Sequence, residues 1–257
     1  MFMGKTVNRQ LQDGRGTNRY QVKKELTQFE GNVTPEKFLA EREIELKPRN
    51  EKQRKYIQEI HEKNHVIATG FAGTSKTFIP TMIASQMLRN KTIDRIILIR
   101  TPVSDEESVG MLKGTVEDKT KYWLMPILDT LNKALSPQLV DYLIKREQII
   151  CLPPEFLKGV SFSPRDFVIF DEVEDISKSV AIASVTRQGG GKLVMCGDLR
   201  QKMISRESGL PLLLDVVRQS PTLQTRVGLI EFDSFEDIVR SDDCKEWVKA
   251  FVKHGYM

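Results

Sequence analysis

Cysteine and histidine are scarce in this chain of 257 residues, with three of each. Cys151, Cys196 and Cys244 are odd in number, far apart and outside any C-x-x-C pairing. That pattern excludes a disulfide framework and a cysteine-built metal site as the organising principle. The three read as free thiols, buried or incidental, which suits a reducing cytoplasm. His61, His65 and His254 form no metal-ligand spacing with them. Long apolar runs are missing too: nothing approaches the roughly eighteen residues that a membrane-spanning helix needs. The opening MFMGKTVNRQLQDGRGTNRY lacks the apolar core of a signal peptide. A cytoplasmic protein with no membrane partner is the expectation. Repeats and low-complexity blocks are absent.

What is present fits an ordinary globular chain. Hydrophobic residues make up 40% and charged residues 29%, and the length allows one large domain or two small ones with a self-sufficient core. The net charge is +4 and the pI about 8.8. Much of the excess is local: Lys5, Arg9, Arg15, Arg19, Lys23 and Lys24 face Asp13 alone within residues 1–24. Residues 1–45 therefore read as a basic, partly ordered arm. Such an arm suits either phosphate contacts with nucleic acid or plain solvation of a terminus.

Along the chain, Thr34 and Pro35 suit the start of a short helix, and Pro48 breaks the chain before an amphipathic helix in RNEKQRKYIQEIHEKN. From there strands and helices alternate. HVIATG, DRIILIRTP, DFVIFDE, GKLVMCGD and RVGLIEF are short runs rich in Val, Ile and Leu, read as five buried strands. TFIPTMIASQMLRN, TKYWLMPILDTLNKAL and SPQLVDYLIKREQ read as helices, and SFEDIVRSDDCKEWVKAFVKH as a closing one. Residues 103–120 are polar and punctuated by glycine, as in a functional loop. Near-continuous apolar strands separated by helices predict an α/β fold, a parallel sheet covered by helices on both faces, over residues 46–257.

Three stretches carry chemistry. The first, GFAGTSKT at 70–77, is close to the phosphate-loop pattern G-x-x-x-x-G-K-[ST], and it follows a strand and opens a helix as that pattern requires. Gly70 and Gly73 let the backbone turn so that amides from Gly70 through Phe71, Ala72, Gly73, Thr74 and Ser75 to Lys76 and Thr77 can face phosphate oxygens. Lys76 reaches the β- and γ-phosphates, and the Thr77 hydroxyl serves Mg²⁺. Ser75 stands where the pattern has glycine. If that position already begins the helix, an ordinary negative φ suffices there and serine costs only some crowding.

The second stretch, DFVIFDEVED, ends a strand in Asp171 and Glu172. A carboxylate at a strand's C-terminal edge can hold the metal directly or through water, while the next orients or deprotonates the attacking water. Glu174 and Asp175 read as a solvated acidic turn. The third, VMCGDLRQ, ends a strand in Gly197 and Asp198, with Gln201 placed to reach a γ-phosphate or the lytic water.

With those residues in place, the chain resembles the PhoH family, P-loop ATPases related to the RecA-like domain of superfamily 1 helicases. GFAGTSKT resembles that family's G-P-A-G-T-G-K-T, and DFVIFDEVED its I-I-L-D-E-A-Q-N segment. VTRQGGGKLVMCGDLRQ resembles its T-R-x-G-x-x-S-K-x-V-x-x-G-D-x-x-Q, and IRTPVSDEESVGMLKGTVEDKTKYWLMPILDTL its stretch from T-R-P to a proline-led helix. The blocks cover about residues 45–253 in order. Departures are Ser75 for glycine, Phe71 for proline, Glu174 for the usual Gln, and no proline after Asp198.

The resemblance implies ATP binding and hydrolysis with Mg²⁺, and a link to single-stranded nucleic acid, RNA above DNA. Carried over by position, it assigns Gln53 to adenine, Lys76 and Thr77 to phosphate and metal, Asp171 and Glu172 to metal and water, and Gln201 to the γ-phosphate. Arg187 in VTRQ is the arginine-finger candidate, from its own or a neighbouring subunit. Residues 1–45 are too few for the nuclease-like PIN domain of some relatives, and a short free-standing form suits a phage-encoded member working in host cytoplasm. One such core cannot inchworm alone, so a homo-oligomeric ring, by resemblance a hexamer, is expected. TPVSDEESVG and the KYW cluster at 121–123 are candidate nucleic-acid contacts. The alternative is a slow nucleotide-gated binding or assembly switch.

Overall fold

The computed structural model describes residues 45–101, 122–203 and 207–257. The expected arm (save Glu45), the Thr34–Pro35 helix start, the 103–120 loop and Lys121 lie outside the described residues. Six strands form one sheet: β1 His65–Gly70, β2 Arg95–Arg100, β3 Ile149–Leu152, β4 Asp166–Asp171, β5 Lys192–Gly197 and β6 Val227–Phe232. Their spatial order is β3-β2-β4-β5-β1-β6, and every pairing is parallel. The helices are α1 Glu51–Glu62, α2 Phe78–Arg89, α3 Met125–Leu135, α4 Pro137–Lys145, α5 Lys178–Thr186, α6 Leu210–Gln219, α7 Pro221–Arg226 and α8 Asp242–Lys253. Among the described residues no helix is long and apolar enough to cross a membrane.

Strand order dictates the layers. From β1 the chain crosses to β2 on one side, whereas from β4 it crosses to β5 in the opposite direction. Both crossovers being right-handed, α2 and α5 must lie on opposite faces. The packing agrees: Ile97 and Ile99, Val168 and Phe170, and Leu193 and Met195 point to one face and join Ala181 of α5 and Leu210, Leu213, Leu214 and Val217 of α6 in one cluster. The alternate residues Ile96, Leu98, Phe167, Ile169 and Val194 are equally buried. All six residues of β4 are buried, as expected of a central parallel strand covered twice. This is the α/β sandwich predicted from the apolar runs.

Two elements differ from the expectation. The sheet has a sixth strand, β3. Its four residues form an edge strand directly after α4, too short for any periodicity to separate it from the helix. The closing helix is shorter than SFEDIVRSDDCKEWVKAFVKH suggests. Ser234 caps a single 3₁₀ turn, Phe235–Asp237, and Ser241 then caps α8 by accepting a hydrogen bond from the Cys244 amide at 3.1 Å. Two N-capping serines mark two starts.

Candidate nucleotide site

The C-terminal ends of β1, β4 and β5 open onto one cleft of about 690 Å³. The loop after β1 supplies one wall and the acidic end of β4 the other. Ala72 to Thr77, Gln53, Arg100, Asp171, Glu172, Gly197, Asp198 and Gln201 all line it. In parallel α/β sheets this edge is where ligands bind.

The loop is built on positive backbone angles. Gly70 has φ 122°, Gly73 has φ 78° and Ser75 has φ 72°. A Cβ on Gly70 would sit 2.1 Å from the Phe232 carbonyl oxygen, so only glycine fits there. Ser75 corrects the sequence expectation. Position 75 is not yet helix, because α2 begins at Phe78, and a serine occupies the left-handed region that glycine enters without cost. The alternation of left- and right-handed residues is what turns successive amides to the same side.

Two tethers fix the loop from behind. Gln53 is buried on α1; its Oε1 accepts from the Arg49 amide at 2.9 Å and its Nε2 donates to the Thr74 carbonyl at 3.2 Å. The Tyr56 hydroxyl donates to the Lys76 carbonyl at 2.9 Å, and the buried Cys196 thiol donates to that same oxygen at 3.1 Å. Burial and the neighbouring Asp171 push the Cys196 thiol pKa far up, so this cysteine is a packed donor and not a nucleophile. The Lys76 ammonium donates to the Gly70 and Phe71 carbonyls at 2.6 and 2.7 Å. Burial lowers its pKa, opposed first by Asp198.

Phe71 departs from its expected role. Its amide donates to the Phe232 carbonyl at 2.9 Å, and its ring points away from the cleft, stacked on Phe235 at 5.1 Å with the Arg200 guanidinium 4.2 Å from its centroid. It anchors the loop to the C-terminal segment with Ile238 and Val248. An aromatic ring needs such a lid where proline would not. Gly70 likewise turns the chain without lining the cleft.

On the acidic wall, the Thr77 hydroxyl donates to Asp171 Oδ1 at 2.7 Å, joining the loop to β4 across the end of β5. Arg100, at the end of β2, donates to Asp171 Oδ2 at 3.2 Å and to Glu172 Oε1 at 3.1 Å. Burial and the Glu172 charge raise the Asp171 pKa to about 6. Glu172 itself has φ 52°, a strained left-handed residue at the point where β4 turns away. Glu174 and Asp175 are not a solvated turn: their relative exposures are 1% and 3%. Asp175 accepts from the Met203 amide at 2.8 Å. Burial, followed by its hydrogen bond with Glu172, pushes Glu174 up to about 9. It is therefore a neutral acid near neutral pH, able to donate as the amide of Gln would. Gly197 must be small beside it, since a Cβ there would meet Glu174 Oε2 at 2.7 Å. Gln201 stands on the cleft wall with its Nε2 donating to Asp198 Oδ2 at 3.2 Å.

Arg187 is the expected residue that the fold does not bring in. It follows α5, which runs from the C-terminal edge of β4 back toward the N-terminal edge of β5, and it is exposed and absent from the cleft. With about 3.3 Å per strand residue, the six-residue sheet separates it from its own subunit's loop. The own-subunit half of that expectation is corrected. Arg100 is the residue the sequence reading missed. The signal was an arginine ending a buried strand, and only the strand order, which sets Arg100 beside Asp171 in register, gives it meaning.

The donors suit Mg²⁺. Among the described residues no group of three His, Cys, Asp or Glu side chains could cage a metal. Thr77 and Asp171 instead offer two hard oxygens already in hydrogen-bond contact, the sparse set that Mg²⁺ takes when phosphates and water complete its shell.

Comparison with known proteins gives the chain its relatives. A PhoH-like protein from Synechocystis is 31% identical over 170 residues, 65% of this chain and 52% of its own. Protein PhoH of Escherichia coli K12 is 30% identical over 208 residues, 79% of this chain and 57% of its own. This chain thus spans little more than half the length of these curated relatives. Among solved structures, a Pif1 helicase from Candida albicans aligns with 75% of this chain and 42% of its own, at 14% identity and a TM-score of 0.35, too slight a likeness to carry an argument. The profile of the family described as PhoH-like protein matches residues 45–252, and with that span covered, the chain belongs to the PhoH family.

Proposed function

We propose that this chain is a Mg²⁺-dependent ATPase whose single core works in a homo-oligomeric ring, a hexamer for preference, on single-stranded nucleic acid, RNA above DNA. The observation that carries the hydrolytic part is the meeting of Lys76, Thr77, Asp171, Glu172 and Gln201 around one cleft. The loop amides and Lys76 hold the phosphates. Thr77 and Asp171 hold the metal. Bound there, Mg²⁺ would draw off charge developing on the transferring phosphoryl oxygens. Glu172 orients the attacking water and accepts its proton at the carboxylate that Arg100 steadies. Gln201, fixed by Asp198, reads the γ-phosphate side. Gln53 lines the cleft with Arg49 and Val239, and the resemblance supports adenine lying against that part of the wall.

The ring and the polymer rest on other support: a single core, the family resemblance, and Arg187, which is exposed and so available to a neighbour's cleft. ATP hydrolysis measured with and without single-stranded RNA and DNA, beside the mass of the assembly, tests both. Stimulation that fades as salt rises, an assembly of several subunits, and loss of turnover in Arg187→Ala only when assembled are the expected results. A monomer with full, unstimulated activity contradicts the ring motor. One observation favours a second reading, a slow nucleotide-gated switch: Ser75 sits at φ 72° in the phosphate loop. Very slow hydrolysis with ATP-dependent assembly is that reading's outcome.

A further inference from the structure

Arg100 is unusual in where it spends its charge. It ends β2 in register with Asp171 of β4, so both side chains rise side by side from the sheet edge. One nitrogen of its fork serves Asp171 Oδ2 at 3.2 Å and the other Glu172 Oε1 at 3.1 Å. Asp171 Oδ1 is taken by Thr77 at 2.7 Å. The guanidinium thus joins the metal-side carboxylate to the water-side carboxylate within the cleft wall. Its side chain is 23% exposed and that of Asp171 only 7%, so the pair is shielded from the water that would otherwise weaken it. Lys76, also on the cleft wall, donates its hydrogen bonds to the carbonyls of Gly70 and Phe71 and acts on Asp171 through its charge alone.

We propose that Arg100 is a resident counter-cation: it holds Asp171 and Glu172 in the absence of nucleotide and thereby keeps free divalent cations out of the site until ATP carries the metal in. The inference rests on the nucleotide reading above and adds its order of loading. Two carboxylates and one guanidinium leave a single net negative charge, and a divalent ion must displace or sit against that guanidinium, which like-charge repulsion opposes. A triphosphate brings enough negative charge to hold both cations. Only arginine presents a planar fork that can span two separate carboxylates at once. Arg100 is in this sense a positioning residue, acting through Asp171 and Glu172.

The test is a titration of the whole, nucleotide-free chain with Mn²⁺, with free ion counted by electron paramagnetic resonance, for the wild type, Arg100→Met and Arg100→Lys. Arg100→Met keeps a stem of similar length without charge and should bind Mn²⁺ about tenfold more tightly than the wild type. Arg100→Lys keeps the charge but cannot span both carboxylates, and should fall between the two. Equal or weaker Mn²⁺ binding by Arg100→Met overturns the proposal. Should that variant not fold by circular dichroism, Arg100→Lys decides alone: tighter than wild type supports the proposal, unchanged or weaker overturns it. A separate equilibrium dialysis of ATP against each protein separates this from the nucleotide reading. If none of the proteins retains ATP, the nucleotide site is wrong, whatever Arg100 does to the free ion.

Discussion

The two walls of the cleft are made of different material. The loop after β1 is a backbone device: three residues at positive φ, held by Gln53, Tyr56 and Cys196. The acidic wall is a side-chain device, in which Asp171, Glu172 and Glu174 crowd together at the end of a buried strand, with Arg100 and Thr77 hydrogen-bonded to the first two. A backbone device tolerates substitution at a cost set by conformation, as Ser75 illustrates. A side-chain device depends on protonation and counter-charge, so its sensitivities lie in pH and in single functional groups.

Substitutions that strike one wall at a time sharpen this contrast. The largest effect belongs to Lys76→Ala, which removes the loop's one charged group. ATP binding by fluorescence titration should weaken about 10- to 100-fold, while the melting temperature stays within a few degrees. On the acidic wall, protonating Asp171 takes away the carboxylate proposed to hold the metal. Mg²⁺-dependent ATP binding should therefore fall as pH drops through about 6, approaching tenfold per pH unit below it. Binding that is flat from pH 7 to pH 5 contradicts the assignment.

A smaller effect concerns stability. The folded protein keeps the Glu174 proton up to about pH 9, while the unfolded chain releases it in the ordinary carboxylate range. This group's contribution is fully present below the ordinary range and is lost as pH rises through about 9, at no more than about 1.4 kcal/mol per pH unit. Glu174→Gln keeps the donor and removes the titration, so its melting temperature relative to wild type should climb between pH 5 and pH 9. A constant difference would mean that Glu174 is not held protonated. The smallest effect is Ser75→Gly. Relief of the left-handed serine, about 1–2 kcal/mol, less the extra unfolded entropy of glycine, about 0.5–1 kcal/mol, leaves a gain between zero and about 1.5 kcal/mol. Thermal melts should rise by a few degrees at most, and a fall would show that Ser75 makes a compensating contact.

The contrast also explains what the sequence disclosed. Five strands were legible because each is an apolar run of fixed length beside a glycine, an aspartate or a proline. That Lys76, Thr77, Asp171 and Gln201 meet at one cleft was legible because short motifs keep them at fixed offsets from strand ends. β3 was hidden by brevity. The angle at Ser75 was hidden because the point where a loop becomes a helix is a matter of backbone geometry that residue identity constrains weakly. Burial of Glu174 and Asp175 was hidden because acidic residues in a row look solvated until Glu174 is seen beside Gly197 and Asp175 against the Met203 amide. Arg100 was hidden because strand order alone sets it beside Asp171, and no local pattern encodes that order.

The central claim is that one cleft both binds and hydrolyses ATP, with Glu172 acting on the water. It is tested most directly by measuring ATP binding and phosphate release side by side in the wild type and in Glu172→Gln. The account predicts clear turnover in the wild type, loss of at least about a hundredfold in the variant, and ATP affinity that is retained. Turnover that survives Glu172→Gln, or a wild type that binds ATP without hydrolysing it, would contradict that claim.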